Sequence, residues 1–158
     1  MNSSNKNDKF QKIEFEINQI YNKYNDLTLN ARMACLSSAI KRGFPEFTFV
    51  GFYNVVNTEF LEIGPYVSDI LAVPRILYGK GVCGTCWEKK ETQIVNNVTK
   101  CDNYIACSPD VLSEIVVPVF NKKNEVIAVL DIDSNILDRF DDEDREGLES
   151  ILNKYCLS

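Results

Sequence analysis

The chain has 158 residues, 45% of them apolar and 25% charged, with a formal net charge of −6 and no histidine. That is enough chain for one domain with a real core. The acidic balance argues against a nucleic-acid surface, which needs clustered Lys and Arg, and no apolar run reaches membrane-spanning length.

Residues 1–8 are polar and lack the apolar core of a signal peptide. They read as a disordered tail before a single domain over 9–158. A cytoplasmic location follows, where cysteines are thiols, redox groups or metal ligands rather than structural bridges. Phe10, Ile13, Ile17, Ile20, Tyr21 and Tyr24 have helical spacing. A second helix is expected over 27–42, with Leu29, Met33, Leu36 and Ile40 on one face and Gly43 as its stop. Residues 47–56 are aromatic and β-branched, a strand. The chain returns over 60–63, and 70–76 reads as a third short strand bent at Pro74. Residues 79–84 read as a glycine-rich turn, 85–90 as a short helix and 92–95 as a brief strand. The polar stretch 96–112 is a long loop, and long loops in compact domains are usually functional. Residues 113–120 and 125–133 form a hairpin around Asn121-Lys-Lys-Asn124. Acidic residues 141–144 open a closing helix with Leu148, Ile151, Leu152 and Tyr155 as its stripe. The fold class is α+β: an antiparallel sheet of about six strands, with N-terminal helices and a C-terminal helix packed on it.

Asp131 and Asp133 are two apart on a strand and leave the same face. If Phe120 faces Glu125 across the turn, Glu114 faces Asp131, and three carboxylates converge at one end of the hairpin. Acids in such an apolar setting either hold a cation or keep a proton. Cys107 lies seven residues before Glu114, on the loop that feeds the same strand. Cys83 follows a Gly-Lys-Gly turn. Two readings of the thiols compete. One is redox, with a sulfenic acid resolved to a disulfide. The other is a zinc site made by Cys83, Cys86, Cys101 and Cys107, but Cys101-x5-Cys107 departs from the usual ligand spacing. No metal and no cofactor are expected.

The motifs GVCGT at 81–85, IAC at 105–107, SEIVVP at 113–118, AVLDIDS at 128–134 and RFDDED at 139–144 resemble the free methionine-(R)-sulfoxide reductases, a GAF-fold enzyme family. The resemblance implies a reductase of free methionine (R)-sulfoxide. In it Cys107 is the nucleophile and Cys83 the resolving thiol, joined in an intramolecular disulfide that a thioredoxin-like partner reduces. It gives Glu114, Asp131 and Asp133 the substrate ammonium and the sulfoxide oxygen, and Phe49 and Tyr53 the methyl group. Members of the family are often homodimers. This chain differs from the usual pattern at Phe49, where Trp is typical, and at Tyr104 and Ser108, where the family has His and Asp. Cys86 stands for a typical Ala, and Cys101 is an extra thiol, so both are candidate accessory thiols. The rival reading is a non-catalytic GAF domain that senses a small ligand.

Overall fold

The computed structural model describes residues 5–106 and 108–156. Four helices and six strands follow in chain order: α1 (Lys6–Lys23), α2 (Leu29–Gly43), β1 (Phe47–Val56), β2 (Phe60–Ser68), β3 (Arg75–Leu77), α3 (Gly81–Lys89), β4 (Gln93–Val95), β5 (Ser113–Phe120), β6 (Val126–Ser134) and α4 (Asp142–Tyr155). A 3₁₀ turn spans Val98–Lys100. The strands form one sheet in the order β3-β2-β1-β6-β5-β4, and every neighbouring pair is antiparallel. The fold is therefore α+β, with the expected strand number.

Alternation along the strands divides the core in two. Val50 and Phe52 of β1, Ile115 and Val117 of β5, and Leu130 and Ile132 of β6 point to one face, where α1, α2 and α4 cover them. Phe49, Tyr53, Val116 and Val129 point to the other, against Val82, Cys83, Cys86 and Trp87 of α3. Three helices thus carry the main core and one short helix closes the opposite face.

Local chemistry sets the ends of these elements. Thr28 caps α2 by accepting from Ala31 N at 3.3 Å. Asp141 and Asp144 form a reciprocal capping box on α4. Asn5 caps α1, so the helix reaches back to Lys6, into residues read from sequence as tail. Lys6 holds that end, with Nζ 2.7 Å from Asp141 and 2.6 Å from Asp144.

Three sequence expectations are corrected. The third strand covers only Arg75–Leu77, because Pro74 lacks the N–H a ladder needs; its carbonyl accepts from Ile63 N instead. The turn over 79–84 is largely helix, since α3 begins at Gly81. The hairpin register also differs: Glu114 faces Asp133, and Val116 faces Asp131. Asn121 Oδ1 accepts the N–H groups of Lys123 and Glu125, at 2.9 and 3.0 Å, and holds Glu125 in the turn. Phe120 then pairs with Val126, and an irregularity between Val119 and Phe120 moves the ladder on by one more. The net slip is two residues. A slip of two keeps every side chain on its face, whereas a slip of one would have sent the acids to the helical side.

Candidate active site

Two rows of side chains cross the sheet on the α3 face. Ser68, Phe49, Asp133, Glu114 and Val95 make one row; Tyr66, Gly51, Asp131, Val116 and Gln93 make the next. Gly51 beside Asp131 carries no side chain. A Cβ there would collide with Tyr66 and lie 3.0 Å from the Phe49 ring. Phe49 and Tyr66 stack over this gap, with centroids 5.5 Å apart and planes at 16°. Phe49 is thus one wall of the acidic region. Tyr53 sits a row further on, opposite Val129, and its hydroxyl donates to Val73 O at 2.9 Å.

Helix α3 brings in the sulfur. Cys83 is the third residue of the helix, and its Sγ and one carboxylate oxygen each of Glu114 and Asp131 all lie within 4.8 Å of one another. Cys83, Glu114, Asp131 and Asp133 are all buried. The helix start depends on Gly81, whose φ of +63° favours glycine. Asn103 reaches across from the following loop to hold it. Its Oδ1 accepts from Gly81 N at 3.1 Å, and its Nδ2 donates to Thr85 Oγ1 at 3.0 Å and Gly81 O at 3.3 Å. Ile105 packs against Gly81 from the same loop. Cys107, the expected nucleophile, lies outside the described residues. Among the described residues on either side of it, Asn103 bonds to α3 and Leu112 N donates to Ser134 O, next to Asp133.

The electrostatics are those of acids and thiols taken out of water. Burial pushes the Asp131 carboxyl up to about 6; polar contacts from Glu114 and Cys83 restrain the rise. Burial and then the charge of Asp131 push Asp133 well above the usual carboxylate range. A helix N-terminus ordinarily lowers a thiol pKa. For Cys83 the opposite wins: burial first, then the charges of Asp131 and Glu114, raise it well above its ordinary value. Asp131 and Asp133 thus keep their protons to higher pH than free carboxylates do, and Cys83 lacks a standing thiolate at neutral pH.

The accessory thiols differ in place. Cys86 lies one turn beyond Cys83, is fully buried, and points its Sγ at Val116 O at 3.6 Å. Burial, then Asp131 and Glu114, raise its pKa too. Cys101 is half-buried at the edge of the same cluster. Among the described residues, the group compact enough for a metal ion includes neither. Tyr66, Gly51 and Asn103 were not singled out from the sequence. Tyr66 follows Pro65 as an ordinary strand aromatic, and Asn103 looks like any loop asparagine.

The GAF domain family matches residues 34–155. GAF domain-containing protein A of Dictyostelium discoideum is 43% identical over 122 residues, 77% of this chain and 75% of that protein. The free methionine-R-sulfoxide reductase of Escherichia coli is 38% identical over 122 residues, 77% of this chain and 72% of its own. The structure of free methionine-R-sulfoxide reductase from Neisseria meningitidis with its substrate superposes with a TM-score of 0.89 at 32% identity, covering 99% of this chain and 91% of that one. The chain belongs to the GAF-fold family of free methionine-R-sulfoxide reductases.

Proposed function

We propose that the protein reduces free methionine (R)-sulfoxide to methionine with the thiols of Cys107 and Cys83. One observation carries the reading: Cys83 meets Glu114 and Asp131 within 4.8 Å in a buried region that also holds Asp133. Three buried acids are costly alone, and the ammonium of a free amino acid supplies the positive charge they can pair with. The reductase names of relatives such as the E. coli protein support the same substrate and epimer.

The chemistry then follows in two steps. The Cys107 thiolate attacks the sulfoxide sulfur while a protonated acid of the Glu114–Asp131 pair gives its proton to the oxygen. The oxygen passes to Cys107, which becomes a sulfenic acid, and methionine leaves. Cys83 next attacks the Cys107 sulfur; its thiol proton passes by way of the acid just emptied to the sulfenic oxygen, which leaves as water as the Cys83–Cys107 disulfide forms. The raised pKa of Cys83 suits this order, because a neutral thiol does not compete for the sulfoxide and gains a base only after the first step. Phe49 forms an apolar wall for the methyl group, with Tyr66 behind it and Tyr53 further along. A thioredoxin-like dithiol in the cytoplasm restores both thiols.

The test is NADPH consumption with thioredoxin, thioredoxin reductase and free methionine sulfoxide. Wild type turns over, Cys107→Ser does not, and Asp131→Asn loses about 10²-fold or more in kcat/KM. A peptide-bound sulfoxide lacks the free ammonium and leaves the acids unpaired, so its kcat/KM is lower by about 10² or more. Equal turnover of free and peptide-bound sulfoxide, or an active Cys107→Ser, refutes the reading.

A further inference from the structure

Sequence spacing offered a zinc site of four thiolates, and the structure assembles a different set. Cys83 Sγ and one oxygen each of Glu114 and Asp131 come from three elements, α3, β5 and β6, and already lie within 4.8 Å of one another. In a tetrahedral zinc site such atoms sit about 3.3–3.7 Å apart, given bonds of about 2.0–2.3 Å. Side-chain rotation of about an ångström closes the difference. A second observation points to a ligand. Asp131 Oδ1 is buried and makes no hydrogen bond among the described residues, on a carboxyl only 3% exposed. Asp133, the next inward residue on the same strand face, is buried beside this group but is not part of it.

We propose that in its reduced form the protein binds one zinc ion through Cys83, Glu114 and Asp131. The donor set selects the metal. One thiolate with carboxylates suits zinc, a borderline ion; calcium and magnesium take oxygen ligands and leave the sulfur unused. Binding displaces the Cys83 thiol proton to solvent, so uptake strengthens as pH rises. Zinc also occupies the acids assigned above to the substrate ammonium. On that reading, metal and methionine sulfoxide exclude each other, and zinc is a reversible brake. Formation of a disulfide at Cys83 removes the sulfur ligand and releases the ion.

The experiment uses the chelator-stripped, fully reduced chain and a chromophoric zinc chelator as competitor. One zinc per chain is expected for wild type and for Cys35→Ser. Affinity falls at least tenfold in Cys83→Ser and in Asp131→Asn, with circular dichroism confirming that both variants remain folded. Cobalt gives an independent readout: a thiolate-to-metal charge-transfer band in wild type that Cys83→Ser lacks. Failure to take up zinc, or uptake and a cobalt band unchanged in Cys83→Ser, overturns the proposal. Raising methionine sulfoxide lowers the apparent zinc affinity if the two exclude each other; an unchanged affinity overturns that part. Zinc uptake is measured without turnover. An inactive protein that still binds zinc through Cys83 therefore refutes the reductase reading and leaves the metal site standing.

Discussion

Asp131 shows what the site costs the fold. Burial outweighs the contacts from Glu114 and Cys83 and lifts its pKa from 3.8 to about 6. The folded chain therefore binds more protons than the unfolded chain between about pH 4 and 6. Stability from this group is fully present below the unfolded value and is lost as pH rises through about 6. The gap is worth on the order of 3 kcal/mol, and Asp133 acts in the same direction. Thermal unfolding of metal-free protein should show a melting midpoint that falls between pH 4 and 7. Asp131→Asn should flatten that fall and raise the midpoint at pH 7 by several degrees, even as activity is lost. A wild-type midpoint that rises across this window would contradict the assignment. Gly51 bears on the same cluster. With Tyr66 and the Phe49 ring against its missing side chain, Gly51→Leu should destabilise the chain by about 1–3 kcal/mol, measured by urea unfolding.

At the scale of elements, what was legible in the sequence was periodic. The alternation of Glu114, Val116, Asp131 and Asp133 placed the acids on one face, and the helical stripes named the covering helices. The register was not legible, because it turns on how Asn121 closes the hairpin and on an irregularity at Val119 and Phe120. The start of α3 was hidden for a related reason. Two glycines and Lys80 read as a turn, but the helix is held from outside by Asn103, some twenty residues on. Such a contact leaves no periodic trace. It does predict an outcome. Asn103→Ala removes the bonds that join the Cys107 loop to α3, so hydrogen exchange over 101–106 should quicken and turnover fall about tenfold. Stability should fall by only about 1–2 kcal/mol. Unchanged exchange in that loop would show that Asn103 does not hold it.

Across the whole molecule, the site is one side of a sheet whose other side supplies the stability. Asp144 is buried between Lys6 of α1 and Arg139, at 2.6 and 3.1 Å, and Arg139 continues to Glu46 before β1 at 2.8 Å. Arg139 also lies over the Phe47 ring, 4.8 Å from its centroid. This network ties α1 and the start of α4 to the residues that open β1. Removing Asp144 leaves the mostly buried Arg139 with Glu46 as its remaining partner, so Asp144→Ala should cost up to about 3 kcal/mol while the catalytic constants of the folded fraction stay near wild type. The central claim is that Cys107 and Cys83 together deliver two electrons to a free amino-acid sulfoxide. A single turnover of pre-reduced protein, with no reductant added, tests it most directly. Wild type should yield one methionine per chain and a Cys83–Cys107 disulfide in the peptide mass map, and Cys83→Ser should yield one methionine and a dimedone-trapped sulfenic acid at Cys107. No methionine from the reduced wild type, or a disulfide that omits Cys107, would contradict it.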